Sequence, residues 1–256
     1  MKHIVYLYEA SSILGSRREA LTCTLRNLRQ VRQLDYTFKF GAIWRYSDLI
    51  LEGIVLTLQL SLITMIIGLA LGLVVALAAN SPRRLMRVPA RIYVEAIRNT
   101  PLLVQLFIVF FGLPTIGIKL GADTAAVIAL SINMGAYGAE IIRAGIESVR
   151  RHQIEAGRAL GLTSYQTFRH VVLFQAMKAI YPSLASQFVL LMLATSIVSA
   201  IGASELFHQG AFIESRTYRS FEVYTLITVT YLLITLGLRT VFAGIYWAIF
   251  VRRPIR

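Results

Sequence analysis

The chain of 256 residues is 56% hydrophobic and only 15% charged, and its mean hydropathy is +0.64, which excludes an ordinary soluble domain and points to a membrane protein. Its 26 Lys+Arg against 13 Asp+Glu give a formal charge of +13, but these charges stand between long apolar runs and not along one face, so no nucleic-acid partner is expected. A single cysteine, Cys23, excludes a disulfide framework and any multi-cysteine metal site, and no Gly-x-x-x-x-Gly-Lys-Ser/Thr loop occurs to cradle a phosphate.

Residues 1–48 carry eight basic residues, among them Arg17, Arg18, Arg26, Arg29 and Arg32, and their apolar stretch at 4–14 contains Glu9 and is too short to span. A bilayer core takes about 20 apolar residues per helix. Residues 54–79, 99–118 and 179–204 each suffice, whereas 124–139 is short and is expected to extend past Glu140. A fifth stretch, 223–238, is followed by Arg239 and then 240–251. Either one long helix carries an arginine, or a span ends near Arg239 and an interfacial helix follows, which is the preferred reading.

Arg83, Arg84, Arg87, Arg91 and Arg98 fall in one connection, six basic residues fall between Arg143 and Lys178, and Arg252, Arg253 and Arg256 close the chain; the alternate connections hold Lys119, Arg216 and Arg219. Because positive residues stay cytoplasmic, the basic connections and the C-terminus lie inside, and five spans put the N-terminus outside. The basic tail opposes that placement.

Gly68, Gly72 and Ala76 line one face of the first span, and Gly135, Ala136, Gly138 and Ala139 surround Tyr137 in the third, so close helix packing within one subunit is expected. Asn99, Thr100, Gln105, Asn133, Gln187, Thr195 and Ser196 fall in or at the ends of spans, where a polar group must find a partner or line a wet path. Their recurrence on several helices makes them the candidate substrate pathway. Pro101 and Pro182 stand near span ends, where proline begins or kinks a helix.

Residues 148–176 are too polar for lipid and are patterned as two short helices. The first covers residues 154–160, Gly161 supplies a stop where φ can be positive, and Thr163 or Ser164 caps the second. Such a unit on the cytoplasmic face is a surface that another protein can grip, and these residues alone fit an inert loop about equally well.

Glu155, Ala156, Gly157, Gly161, Val171 and Leu173 together resemble the EAA signature of membrane subunits of binding-protein-dependent ABC importers. The run Arg98 to Gln105, the run Gly135 to Arg143, Gly53 with Thr57, Leu58 and Ser61, and Thr195-Ser196 with Ile201-Gly202 and Glu205-Leu206 narrow the resemblance to the polar amino acid branch, over roughly residues 36–256. The resemblance implies an all-α integral membrane permease of about five transmembrane helices with a cytoplasmic coupling helix, in the bacterial cytoplasmic (inner) membrane. It implies ATP-binding cassette ATPase subunits that hold ATP and Mg, a second permease subunit, identical or homologous, and an extracytoplasmic binding protein that delivers a polar amino acid. No cofactor, metal or catalytic residue is then expected on this chain. In the coupling loop the resemblance assigns Glu155 and Arg158 to the ATPase contact, Ala156 and Ala159 to close approach, and Gly161 to the turn.

The chain departs from the family pattern at Gly157, where a second alanine is usual, at Phe174 in place of proline, at Ser186 in place of asparagine, and at Leu193-Ala194 in place of a lysine-aspartate pair. Phe174 predicts a straighter exit from the coupling region. Family members begin near the counterpart of Asp35, which predicts that residues 1–34 are a basic extension arising from the choice of start site, ahead of one transmembrane domain over 35–256. Two rival classes fit less well: an ATP-independent secondary transporter or channel, which paired intramembrane acids would favour, and a membrane enzyme, for which His152, His170 and His208 form no close-spaced cluster.

Overall fold

The computed structural model describes residues 38–252; the expectations about residues 1–34 lie outside the described part. All regular elements among the described residues are helices. After one turn at Gly41–Trp44, α1 runs Ser47–Ala79, α2 Arg84–Arg98, α3 Leu102–Phe107, α4 Ala122–Glu147, α5 Arg151–Ala159, α6 from Ser164 to Ile201, α7 Leu206–Thr217 and α8 Ser220–Tyr246. Widened turns lengthen α3 (Ile108–Gly112) and α8 (Trp247–Val251), and a tighter one, Leu113–Ile116, closes α3. Helices α1, α4, α6 and α8 are each long and apolar enough to cross a bilayer, and α2 with α3 makes a fifth candidate bent by 110°.

α4 is the central helix because it is built from small residues. Of its most apolar window 61% is buried within the chain, against 6% for α8 at the edge of the bundle. Ala125, Ala126, Ala129, Leu130 and Met134 of α4 pack with Leu106 of α3 and with Leu191, Val198 and Ile201 of α6. The α1 seam lies where the glycine pattern predicts it. A Cβ on Gly72 would stand 3.0 Å from both the Ala139 nitrogen and the Gly135 oxygen, and one on Gly68 would meet the Met134 side chain. The crowded faces of α1 and α4 are therefore spent on each other within one chain.

Three expectations are corrected. Residues 99–118 do not form one straight span: the chain turns at Asn99–Pro101, and only Leu102 to Ile116 rises as α3. The basic connection before it is the helix α2, with Ala90 and Val94 buried on the bundle, Leu85, Val88 and Ile92 exposed, and the arginines on a neighbouring face. That is the composition of a helix lying in the interfacial plane. Second, no break occurs at Arg239; α8 runs through it to Tyr246 and on to Val251, because a lone arginine with a long stem carries its charge to the edge of the apolar layer without ending the helix. Third, the second short helix of the cytoplasmic connection is the start of α6. It passes through a widened turn at Phe168–Val172 into Leu173–Ala194, and with Phe174 in place of proline each backbone N–H remains available to continue the helix.

Candidate functional site: elbow, coupling helix and polar seam

At the elbow between α2 and α3 the sequence dictates the hydrogen bonding. Pro101 has no N–H to give to the Ile97 carbonyl, so that acceptor is orphaned. The Gln105 amide fills the gap, donating to Ile97 O at 2.8 Å and also contacting Thr100 O (3.1 Å) and Thr100 Oγ1 (2.8 Å). Thr100 Oγ1 donates to Ala96 O at 2.8 Å, and Asn99 Nδ2 donates to Glu95 O and Glu95 Oε2. From α4, Asn133 Nδ2 donates to Gln105 Oε1 at 3.0 Å. Four predicted pathway residues, Asn99, Thr100, Gln105 and Asn133, thus meet at one joint. Gln105 is buried and its amide is used up as a strut.

Beside the elbow, Glu140 on α4 receives Arg143 Nε at 3.0 Å and a second guanidinium nitrogen at 2.5 Å, while Arg143 also bonds Glu147 at 2.6 Å. Arg98 lies 3.8 Å from Glu140 and over the Tyr137 ring. With Ala76, Ala79, Arg91, Val94, Glu95 and Ala139, the Glu140–Arg143 pair lines a polar cavity of about 370 Å³.

α5 follows α4 at the same end. Its stop is a paired-bond helix end: Gly161 N donates to Arg158 O (2.9 Å) and Leu162 N to Gly157 O (3.2 Å), with Gly161 at φ +77°. Thr163 then caps α6 in a reciprocal box with Gln166. Gly157 faces inward, where a Cβ would stand 3.3 Å from Thr167 Cγ2. Glu155, Ala156, Arg158, Ala159 and Gly161 are all exposed. Within this chain the close approach is made by Gly157, and not by Ala156 or Ala159, whose faces are left open.

The remaining predicted residues do not join the elbow. Thr195 is fully buried, and its hydroxyl donates to Met192 O; Ser196 donates to Leu193 O, and Gln187 is half-buried on α6. Thr195 belongs instead to a seam at the far end. There Leu206 N donates to Thr57 Oγ1 (3.1 Å), Phe207 N and His208 N donate to the Glu205 carboxylate (2.8 Å each), and Gln209 N donates to Glu205 O. All four leading amides of α7 are thereby satisfied. The Tyr231 hydroxyl of α8 donates to Glu205 Oε2 at 2.6 Å, within reach of Thr57 and Thr195. Burial pushes the Glu205 carboxyl above the ordinary carboxylate range, and the Tyr231 hydroxyl and the two amides pull it partly back. Sequence reasoning missed Tyr231; the available signal was a phenol inside an apolar span, which needs a partner.

Residues 68–253 match the family model of the binding-protein-dependent transport system inner membrane component. The chain belongs to this family. It is an inner-membrane permease subunit, built on the fold of type I ABC importer permeases. The glutamine transport system permease protein GlnP of Escherichia coli K12 is 37% identical over 203 residues, 78% of this chain and 93% of that protein. The L-cystine transport system permease protein TcyB of Bacillus subtilis is 44% identical over 164 residues, 64% of this chain and 70% of that one. Among solved structures, an amino acid ABC transporter crystallised with histidines matches with a TM-score of 0.80 at 39% identity, covering 84% of this chain and 100% of its own. The MetNI methionine ABC transporter matches with a TM-score of 0.67 at 20% identity, a likeness of fold, over 80% of this chain and 97% of its own.

Proposed function

We propose that this permease subunit forms half of the pathway of an importer for a polar amino acid, with the N-terminus outside and the C-terminus inside. Two ATPase subunits, which bind ATP and Mg²⁺, drive the assembly, one docking on α5 of each permease chain through Glu155 and Arg158, with Ala156 and Ala159 allowing close approach. An extracytoplasmic binding protein delivers the amino acid at the opposite end, and a second permease chain, identical or homologous, completes the pathway. The observation that carries this reading is α5 itself: a rigid helix, stopped by Gly161, that holds a charged, small-residue face away from its own bundle. A rigid element transmits ATPase closure that a slack loop would absorb. The names of GlnP and TcyB and the amino acid transporter structure support the cargo class.

Within the pathway, Gln187, Asn133 and Ser196 keep partial exposure, whereas Gln105 and Thr195 are held in packing. Substrate contact is therefore assigned to the first three, with Asn99 and Thr100 at the elbow.

The test is uptake by proteoliposomes that hold the purified assembly, with binding protein and one labelled amino acid at a time. ATP-dependent accumulation of a polar amino acid, abolished by Glu155→Lys, is expected. Accumulation that proceeds without ATP overturns the reading in favour of a secondary transporter.

A further inference from the structure

Arg239 stands on α8 inside a candidate span, is exposed, and has no ion-pair partner among the described residues. It lines a groove of about 430 Å³ between α6 and α8, with Tyr181, Pro182, Ser186, Val189 and Phe242. An unpaired guanidinium in hydrocarbon is costly, so its depth decides what satisfies it.

Aromatic residues mark that depth. Tyr246 and Trp247 are the residue types that favour the headgroup boundary, and Arg239 precedes Tyr246 by seven residues, about 10 Å of helix, so its backbone lies two turns inside that boundary and its long stem can carry the guanidinium toward it. Tyr181 ties the two helices together there, its hydroxyl donating to Phe242 O at 2.9 Å, and its ring packs on Tyr246 and Phe250. The groove thus reaches from the Tyr246 boundary inward to a cation, Arg239, and a serine hydroxyl, and Val189 and Phe242 give it an apolar wall.

We infer that the α6–α8 groove is a site for one anionic phospholipid, its phosphate on Arg239 and an acyl chain against Val189 and Phe242. Charge complementarity selects the lipid: the guanidinium is the groove's one cation, and a planar fork pairs well with phosphate. The inference needs the chain only to span the membrane and stands whatever the cargo.

The test is native mass spectrometry of the permease assembly released from mild detergent, titrated with phosphatidylglycerol or with phosphatidylcholine. Wild type is expected to retain one phosphatidylglycerol more per chain than Arg239→Gln, with at least a fivefold loss of affinity, while phosphatidylcholine retention stays the same for both. Arg239→Lys should recover part of the binding, and Lys178→Gln, which removes an exposed cation lining a different groove, should leave it unchanged. Should Arg239→Gln fail to assemble, Ala243→Trp fills the groove from an exposed position, keeps Arg239, and should also lose the lipid. Equal retention of phosphatidylglycerol by wild type and the groove variants overturns the inference. So does equal affinity of wild type for the two lipids, or a second permease chain cross-linked through a photoreactive group at Ala185.

Discussion

Gly161 allows the coupling geometry to be tested with an internal scale. Its φ of +77° lies in the left-handed region, and a Cβ built there meets nothing within 4 Å, so a substitution pays only for backbone conformation. For alanine that cost is about 1 kcal/mol, a factor of about five in the population of the stopped helix. For valine, β-branched and least suited to this region, it is about 2–3 kcal/mol, a factor of about 30 to 150. Asparagine tolerates the left-handed conformation and should fall near glycine. Coupling ratio, labelled amino acid accumulated per ATP hydrolysed in proteoliposomes, should therefore fall in the order Gly, Asn, Ala, Val. The thermal midpoint of the purified assembly should change little, since the four membrane-crossing helices do not use this turn. Equal coupling in Asn and Val variants would show that the backbone stop is irrelevant and would refute the reasoning.

Other perturbations test the packing and the two polar sites. Gly72→Ala drives a methyl to 3.0 Å from backbone atoms of α4 that cannot rotate away; a loss of about 1–3 kcal/mol is expected in detergent thermal melts, and an unchanged melt contradicts the α1–α4 seam. Gln105→Leu orphans the Ile97 carbonyl and strips Asn133 of its acceptor, which should cost about 1–3 kcal/mol and be visible as faster hydrogen exchange confined to the 97–105 elbow. Glu205 sets a pH dependence. Its carboxyl is raised in the folded state, so its contribution to stability is full below the unfolded value of about 4.3 and is lost as pH rises through the folded value. Wild type should therefore lose thermal stability relative to Glu205→Gln as pH climbs above that lower bound; a pH-independent difference contradicts the assignment.

The long helices were legible because hydropathy and length suffice to define them, and α4 was legible as a crowded helix because its run of Ala, Gly and Ser has no other use in lipid. Gly161 and the Thr163 cap were readable from residue type alone, since few residues end or start a helix in those ways. The 110° elbow was not: Pro101 serves equally to begin a helix, and only the replacement of its missing N–H by Gln105 reveals the bend. Arg239 hides the length of α8 because a charge in an apolar run can equally mark a boundary, while the backbone has no reason to stop there. Polar residues in spans stand out in the sequence, but sequence does not say whether a partner is at hand. Gln105 and Thr195 found theirs inside the chain, whereas Gln187 kept partial exposure.

The central claim is that α5 is the surface on which an ATPase is seated, and Ala156 tests it most directly because it is exposed on that helix. A photoreactive amino acid placed at Ala156, illuminated in native membranes, should yield an adduct whose peptides belong to an ATP-binding cassette subunit. The same group at Ser215, on exposed α7 at the opposite end, should not yield it. An assembly that still accumulates its amino acid but gives no ATPase adduct at Ala156 would contradict the account.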